Sequence, residues 1–300
     1  MIRAYDIRRS PFSVKKEVIR AVDGVSFEVA RGETVGLVGE SGCGKSTIAR
    51  CVTLLEKPDS GRITFMGHDW VRMRADERKA LRKEMQIIFQ DPYSSLNPRK
   101  RILDAVAEPL VAHRIVERGA LPGRVLEVLK SVGLDEDFLK KYPHEMSGGQ
   151  RQRVAIGRAL ATSPAFIVAD EPVSSLDVSV QAQIINLFLD IRERFTLSML
   201  FISHDLNIVR FVSDQIMVMY RGRVVEVADK EKLFVHPLHP YTRLLIEAST
   251  GAAMDKVEQQ AQGESCVFFG RCPEKVARCG QALPELKGSP DHRVACFQRE

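Results

Sequence analysis

Long apolar runs are missing from this 300-residue chain. None approaches the roughly 18 consecutive apolar residues that a membrane-crossing helix requires. The longest, 198–202 and 215–220, have the length of strands. The first ten residues are charged and lack the apolar middle of a secretory signal, so a cytosolic setting is expected. Any hold on a membrane would then come through partners. Internal repeats are absent, and only 252–263 approaches low complexity. A strong excess of one charge is absent too. The formal net charge of +5 is as compatible with solubilising lysines and arginines as with an anionic partner, so it selects neither.

What is present fits a soluble globular protein: 44% hydrophobic and 28% charged residues, over a length that allows a large core and a second small module. The six cysteines are unevenly spread. Cys43 and Cys51 lie near one glycine-rich segment, while Cys266, Cys272, Cys279 and Cys296 crowd the last 35 residues. In a reducing compartment such a cluster suggests metal before disulfide. The tight two-residue spacings of zinc ribbons are lacking. All-cysteine ligation at looser spacing suits an iron–sulfur cluster, with four buried structural thiols as the alternative. His292 is near this set but not needed for it.

Gly39-Glu40-Ser41-Gly42-Cys43-Gly44-Lys45-Ser46-Thr47 follows an apolar strand predicted over 34–38 and precedes a helix predicted over 48–55. Strand, glycine loop and helix together are the setting of a phosphate-binding loop. Glycines let successive N–H groups turn inward to an anion, and the helix dipole adds to the attraction. Lys45 is placed to reach the outer phosphates and the Ser46 hydroxyl to ligate Mg²⁺. Cys43 contributes a backbone amide.

Further strands are predicted over 21–29 and 62–66, and a mostly helical insert over about 76–146, with helices at 76–83, 102–113 and 123–132. Helix 150–162, strand 166–169, helix 178–195 and strand 198–203 follow, then further strands through 227 and a short helix at 241–248. Strands alternating with helices imply a parallel sheet. The strand at 166–169 closes on Asp170 and Glu171, a Mg²⁺ partner and a general base for water downstream of a phosphate loop. Ser147-Gly148-Gly149-Gln150 opens the next helix, either as an N-cap or as a second phosphate site. His204 follows an apolar strand and is either structural or a switch. Gln90 either ends a strand before a turn or faces the nucleotide.

In this order, Gly39 to Thr47, Gln90, Ser147 to Gln150, Asp170-Glu171, the 174–177 segment and His204 resemble the nucleotide-binding domain of ABC ATPases over about 1–235. The resemblance implies an α/β fold of the P-loop ABC type with a helical subdomain at about 91–150. It implies ATP and Mg²⁺ as ligands, with Ser46, Gln90 and Asp170 around the metal. It also implies a head-to-tail pair in which Ser147, Gly148 and Gly149 complete the partner's ATP site. By the same resemblance Glu171 is the base, Gln90 touches Mg²⁺ or the attacking water, and His204 holds the γ-phosphate and Glu171. Asp177 lies at the dimer seam, and Phe12 stands where an adenine-stacking aromatic is found, a position also compatible with packing. Met146 replaces the commoner leucine, a volume-conserving exchange.

Residues 90–99 and 239–245, with the cysteine-bearing extension at 236–300, are similar to the ATPase subunits of dipeptide and oligopeptide importers, in the version of the second, F-type subunit. That similarity implies a second, non-identical ATPase, two membrane permeases, an extracytoplasmic binding protein and a place at the cytoplasmic face of the membrane. It also implies a [4Fe-4S] cluster on the four tail cysteines, and no nucleic acid. Importers of nickel or opine-like sugars share the extension. A soluble ABC ATPase of phosphonate breakdown or iron–sulfur assembly is the alternative class.

Overall fold

The computed structural model describes residues 1–8, 16–250 and 265–299; Phe12 lies outside the described residues. In chain order, β1 (Ile2–Arg8) and β2 (Lys16–Asp23) precede β3 (Thr34–Val38) and α1 (Lys45–Val52). Then come β4 (Thr64–Phe65), β5 (His68–Asp69), α2 (Ala75–Leu81), β6 (Met85–Ile88), α3 (Pro92–Ser95), α4 (Ile102–Ala112) and α5 (Leu121–Ser131). The chain continues through α6 (Gly148–Leu160), β7 (Phe166–Asp170), α7 (Val178–Phe195), β8 (Ser198–Ser203) and α8 (Leu206–Val212). It closes with β9 (Gln215–Tyr220), β10 (Arg223–Asp229), α9 (Lys230–Val235), α10 (Pro240–Ser249), β11 (Lys287–Ser289) and β12 (His292–Val294). None of these helices is long and apolar enough to cross a membrane.

Two compact units form. One comprises Met1–Glu28, Thr34–Ile63 and Ile202–Glu300, the other Val29–Glu33 and Thr64–Phe201. The chain passes from one to the other inside β8.

In the first unit β3 pairs in parallel with β9, and β9, β10, β12 and β11 continue antiparallel. Every residue of β3 is buried, which is why it reads as an unbroken apolar run rather than an alternating one. The antiparallel extension departs from the parallel sheet that strand–helix alternation suggests. Its cause is the two-residue turn Arg221-Gly222, where both residues take positive φ and fold β10 straight back on β9. The strand expected over 21–29 is instead β2, which pairs with β1 and stops at Asp23. Gly24 follows at φ +72°, a conformation that no continuing strand adopts.

In the second unit β6 and β7 are parallel, and α4, α5 and α6 pack on one another. The strand expected over 62–66 shrinks to β4, which forms a two-residue ladder with β5. Phe65 meets Trp70 edge-on at 5.6 Å, and Phe188 of α7 meets Phe201 of β8 at 5.5 Å and 88°. Helix α5 carries Pro122 in its first turn, where a missing N–H costs nothing. The helix thus starts at Leu121, two residues before the apolar periodicity suggests.

Candidate functional site

The sequence-predicted site residues divide between the units. The first holds Gly39 to Thr47 and His204; the second holds Gln90, Ser147 to Gln150, Asp170, Glu171 and Asp177.

In the first unit two glycines are forced by their surroundings. A Cβ on Gly39 would stand 2.1 Å from the Met219 carbonyl oxygen, and one on Gly44 would stand 1.9 Å from the Ala21 carbonyl oxygen. Gly44 is also the N-cap of α1 at φ 109°, which L side chains avoid. The loop closes through the Cys43 N–H donating to the Glu40 carbonyl at 3.2 Å, and Gly222 N–H donates to the Cys43 carbonyl at 2.8 Å. Burial pushes the Cys43 thiol up, so it stays neutral and its backbone is what serves the loop. Lys45 is only 4% exposed. Its ammonium donates to the carbonyls of Gly39 at 2.8 Å and Glu40 at 3.0 Å, which aims a positive charge along the loop. Ser46 and Thr47 are half-buried in the first turn of α1, while Ser41 and Gly42 are exposed.

Residues the sequence reading passed over hold this loop from the C-terminal region. Glu40 N–H donates to the Tyr241 hydroxyl at 3.0 Å, and Arg271 Nη1 donates to both Glu40 carboxylate oxygens at 2.8 and 3.1 Å. Tyr241 lies in the first turn of α10, whose N-cap is His239. The Tyr241 N–H donates to His239 Nδ1 at 3.0 Å, which requires the tautomer protonated at Nε2. Burial, aided by the nearby Arg243 charge, pushes His239 down to about 3. The buried Glu226 carboxylate fixes the approach to α10 by accepting from Leu238 N–H at 2.7 Å and His239 N–H at 2.9 Å. His292 Nε2 lies 2.7 Å from the same carboxylate. The only advance sign of Tyr241 is its place in the 239–245 segment; Arg271 had none.

His204 is exposed beyond the end of β8. Its neighbour Asp205 caps α8, accepting from Asn207 N–H at 2.8 Å and Ile208 N–H at 3.3 Å.

In the second unit Asp170 ends β7 and is buried, while Glu171 is half-buried at φ +47°. Such a φ costs a non-glycine residue about 1–3 kcal/mol and is held only where the surroundings impose it. The Glu171 carbonyl accepts from the Ser174 hydroxyl and N–H at 3.1 and 3.3 Å, which closes the turn that follows. The Glu171 side chain accepts from Gln90 Nε2 at 3.3 Å. The structure thus joins two residues 81 apart in sequence that the reading placed in one reaction.

Ser147 and Gln150 form a reciprocal box at the start of α6: Gln150 N–H donates to Ser147 Oγ at 3.3 Å, and Ser147 N–H donates to Gln150 Oε1 at 3.0 Å. The N-cap is therefore present, and Gln150 turns back along the helix to complete it. Ser147 remains exposed. A Cβ on Gly149 would come within 2.5 Å of Val180 Cγ1, and one on Gly148 within 3.4 Å of Leu176. The glycines thus let the segment on both sides of Asp177 approach the helix start. Asp177 is exposed, and its carbonyl accepts from Val180 and Gln181.

The four tail cysteines are free. Burial chiefly pushes Cys266 up to about 11, with the Cys279, Cys272 and Cys296 thiols adding to the rise. Burial likewise raises Cys272 and Cys296. Among the described residues no group of three or more His, Cys, Asp or Glu stands arranged to hold a metal.

Comparison with known proteins completes the description. The family described as "ABC transporter" matches residues 22–174, and "Oligopeptide/dipeptide transporter, C-terminal region" matches 225–279. The Di/tripeptide transport ATP-binding protein DppF of Pseudomonas aeruginosa is 43% identical over all of this chain and 96% of its own length. The Oligopeptide transport ATP-binding protein AppF of Bacillus subtilis is 45% identical over 97% of this chain and 93% of its own. Among solved structures, a dimeric, post-hydrolysis ATP-binding cassette bound to ADP and phosphate aligns with a TM-score of 0.67 at 30% identity, over 76% of this chain and 96% of that one. The fold is that of an ABC nucleotide-binding domain, and the chain belongs to the ATP-hydrolysing ABC transporter proteins that carry the oligopeptide/dipeptide transporter C-terminal region.

Proposed function

We propose that this chain is one of two non-identical ATPases of an importer for dipeptides or oligopeptides. In this reading it sits at the cytoplasmic face of the membrane, bound to two permease subunits that receive peptide from an extracytoplasmic binding protein. One observation carries the reading: the similarity to peptide transport proteins runs the whole chain, through the C-terminal region as well as the ATPase core. Nothing in the comparisons favours a soluble phosphonate or iron–sulfur assembly ATPase, or an importer of nickel or opines.

ATP would lie with its phosphates on the amides of Gly39 to Thr47 and on Lys45. Mg²⁺, when bound, would neutralise phosphate charge, and Ser46, Gln90 and Asp170 supply the hard oxygen donors that suit it. Glu171 would take a proton from the attacking water. The Gln90 contact supports that role, because it holds the carboxylate before water arrives. Ser147, Gly148 and Gly149 would close over the partner's ATP, with Asp177 at the seam and His204 on the γ-phosphate. Positioning and fixed charge would supply most of the rate, and closure and opening of the pair would carry the work to the permeases. A [4Fe-4S] cluster on Cys266, Cys272, Cys279 and Cys296 rests on resemblance; iron and acid-labile sulfide after anaerobic purification would support it, and their absence would end it.

The test is the four-subunit complex in vesicles with its binding protein. ATP turnover should rise with peptide and not with nickel. With the partner's own base disabled, Glu171→Gln should leave ATP bound and cut turnover by roughly 10²–10⁴-fold, the usual contribution of a general base. Full turnover by that complex refutes the base assignment, and peptide-independent turnover refutes the substrate class.

A further inference from the structure

The N–H, the carbonyl and the side chain of Glu40 are all held, and two of these holds come from the C-terminal region. Its N–H donates to Tyr241, its carbonyl accepts from Lys45, and its carboxylate accepts from Arg271. The two distant residues are built in rather than draped over the surface. Tyr241 is fully buried, and its ring centroid lies 4.6 Å from that of Tyr220 and 5.5 Å from that of Phe268. The Arg271 side chain is 10% exposed, with its guanidinium 5.8 Å from the ring centroids of the same Tyr220 and Phe268.

We propose that Arg271 and Tyr241 are positioning residues for nucleotide binding, through which the C-terminal region sets the affinity of the phosphate loop. The inference rests on the reading of 39–47 as that loop. Two physical effects act together. The Tyr241 hydroxyl fixes the 39–40 peptide, whose Gly39 carbonyl accepts from Lys45, so the ammonium is aligned before the triphosphate arrives. Arg271 neutralises the Glu40 carboxylate. Without it, a negative charge would stand beside a site built for phosphates and repel them. The second effect makes a signed demand: losing Arg271 should harm binding more while Glu40 is charged than after Glu40 is made neutral. A role confined to holding the fold together makes no such demand.

The experiment measures Mg–ATP binding to the full chain by calorimetry, in the parent and in Lys45→Ala, Arg271→Ala, Glu40→Gln, Tyr241→Phe and the Arg271→Ala/Glu40→Gln double variant. Arg271→Ala should weaken binding roughly fivefold or more, the lower end of ordinary coupling between sites. The double variant should bind better than Arg271→Ala alone, and Arg271→Lys should recover part of the loss, since an ammonium offers charge without the planar fork. In the assembled complex the change should appear in KM with kcat kept. Parent-like binding by Arg271→Ala, or a double variant no better than the single one, overturns the proposal. Should Arg271→Ala fail to fold, Arg271→Gln keeps the stem against the two rings and is read the same way. If Lys45→Ala also binds like the parent, it is the phosphate-loop reading that has failed.

Discussion

Acid should open the C-terminal helix that carries Tyr241, and His239 sets the window. Burial holds this imidazole down to about 3 against an ordinary 6.5, so the unfolded chain takes up a proton that the folded one refuses. Stability therefore rises with pH between about 3 and 6.5 and is lost as pH falls through that range. At pH 5 the unfolded state lies about 1.5 units below its own titration point, which at 1.36 kcal/mol per unit amounts to about 2 kcal/mol lost from this group. A protonated Nδ1 could also no longer accept the Tyr241 N–H. Asn at 239 is the control: its carbonyl can cap the same helix but cannot titrate. Tryptophan fluorescence would not report the event, because Trp70, the chain's only tryptophan, belongs to the other unit. Hydrogen exchange over 240–249, corrected for the intrinsic pH dependence, is the direct readout. The opening free energy of the parent should fall by about 2 kcal/mol between pH 7 and 5, and that of His239→Asn by much less. Both chains contain the Glu226–His292 contact, so it cancels. Equal slopes in the two chains would refute the reasoning, whatever their absolute stabilities.

Two further outcomes follow from packing. Gly149→Ala should cost about 1–3 kcal/mol in denaturant unfolding, the usual range for overpacking, because its Cβ would fall 2.5 Å from Val180 Cγ1. Val180→Ala removes the obstructing methyl and should return most of that loss; additive losses would mean the clash is not the cause. Trp70→Ala should cost about 3–5 kcal/mol, since the side chain is only 1% exposed and stacks edge-on with Phe65. A thermal scan of the second unit showing less than 1 kcal/mol lost would argue against a core role.

The loop at 39–44 between β3 and α1 was legible because its signal is local: glycine, lysine and serine at fixed spacing between an apolar strand and a helix leave few other conformations. The strands β3, β7 and β8 were legible for a related reason, being buried on both faces and so continuously apolar. The misreadings share an opposite origin. Strand β2 ends at Asp23 because of its pairing with β1 and the backbone of Gly24, neither of which leaves a periodicity behind. The antiparallel turn from β9 to β10 depends on Arg221 taking positive φ, a conformation its side chain does not advertise. The same holds for Glu171. An acid after an apolar strand announced a carboxylate, but nothing in the sequence announced its left-handed backbone. Glu40 carries the point furthest. It lies inside the most recognisable motif of the chain, yet its partners Tyr241 and Arg271 stand 201 and 231 residues away. A motif specifies what a loop can bind, whereas the stiffness with which the loop is held is written in residues that only folding brings to it. Nucleotide affinity in this protein therefore depends on the C-terminal region as well as on the motif.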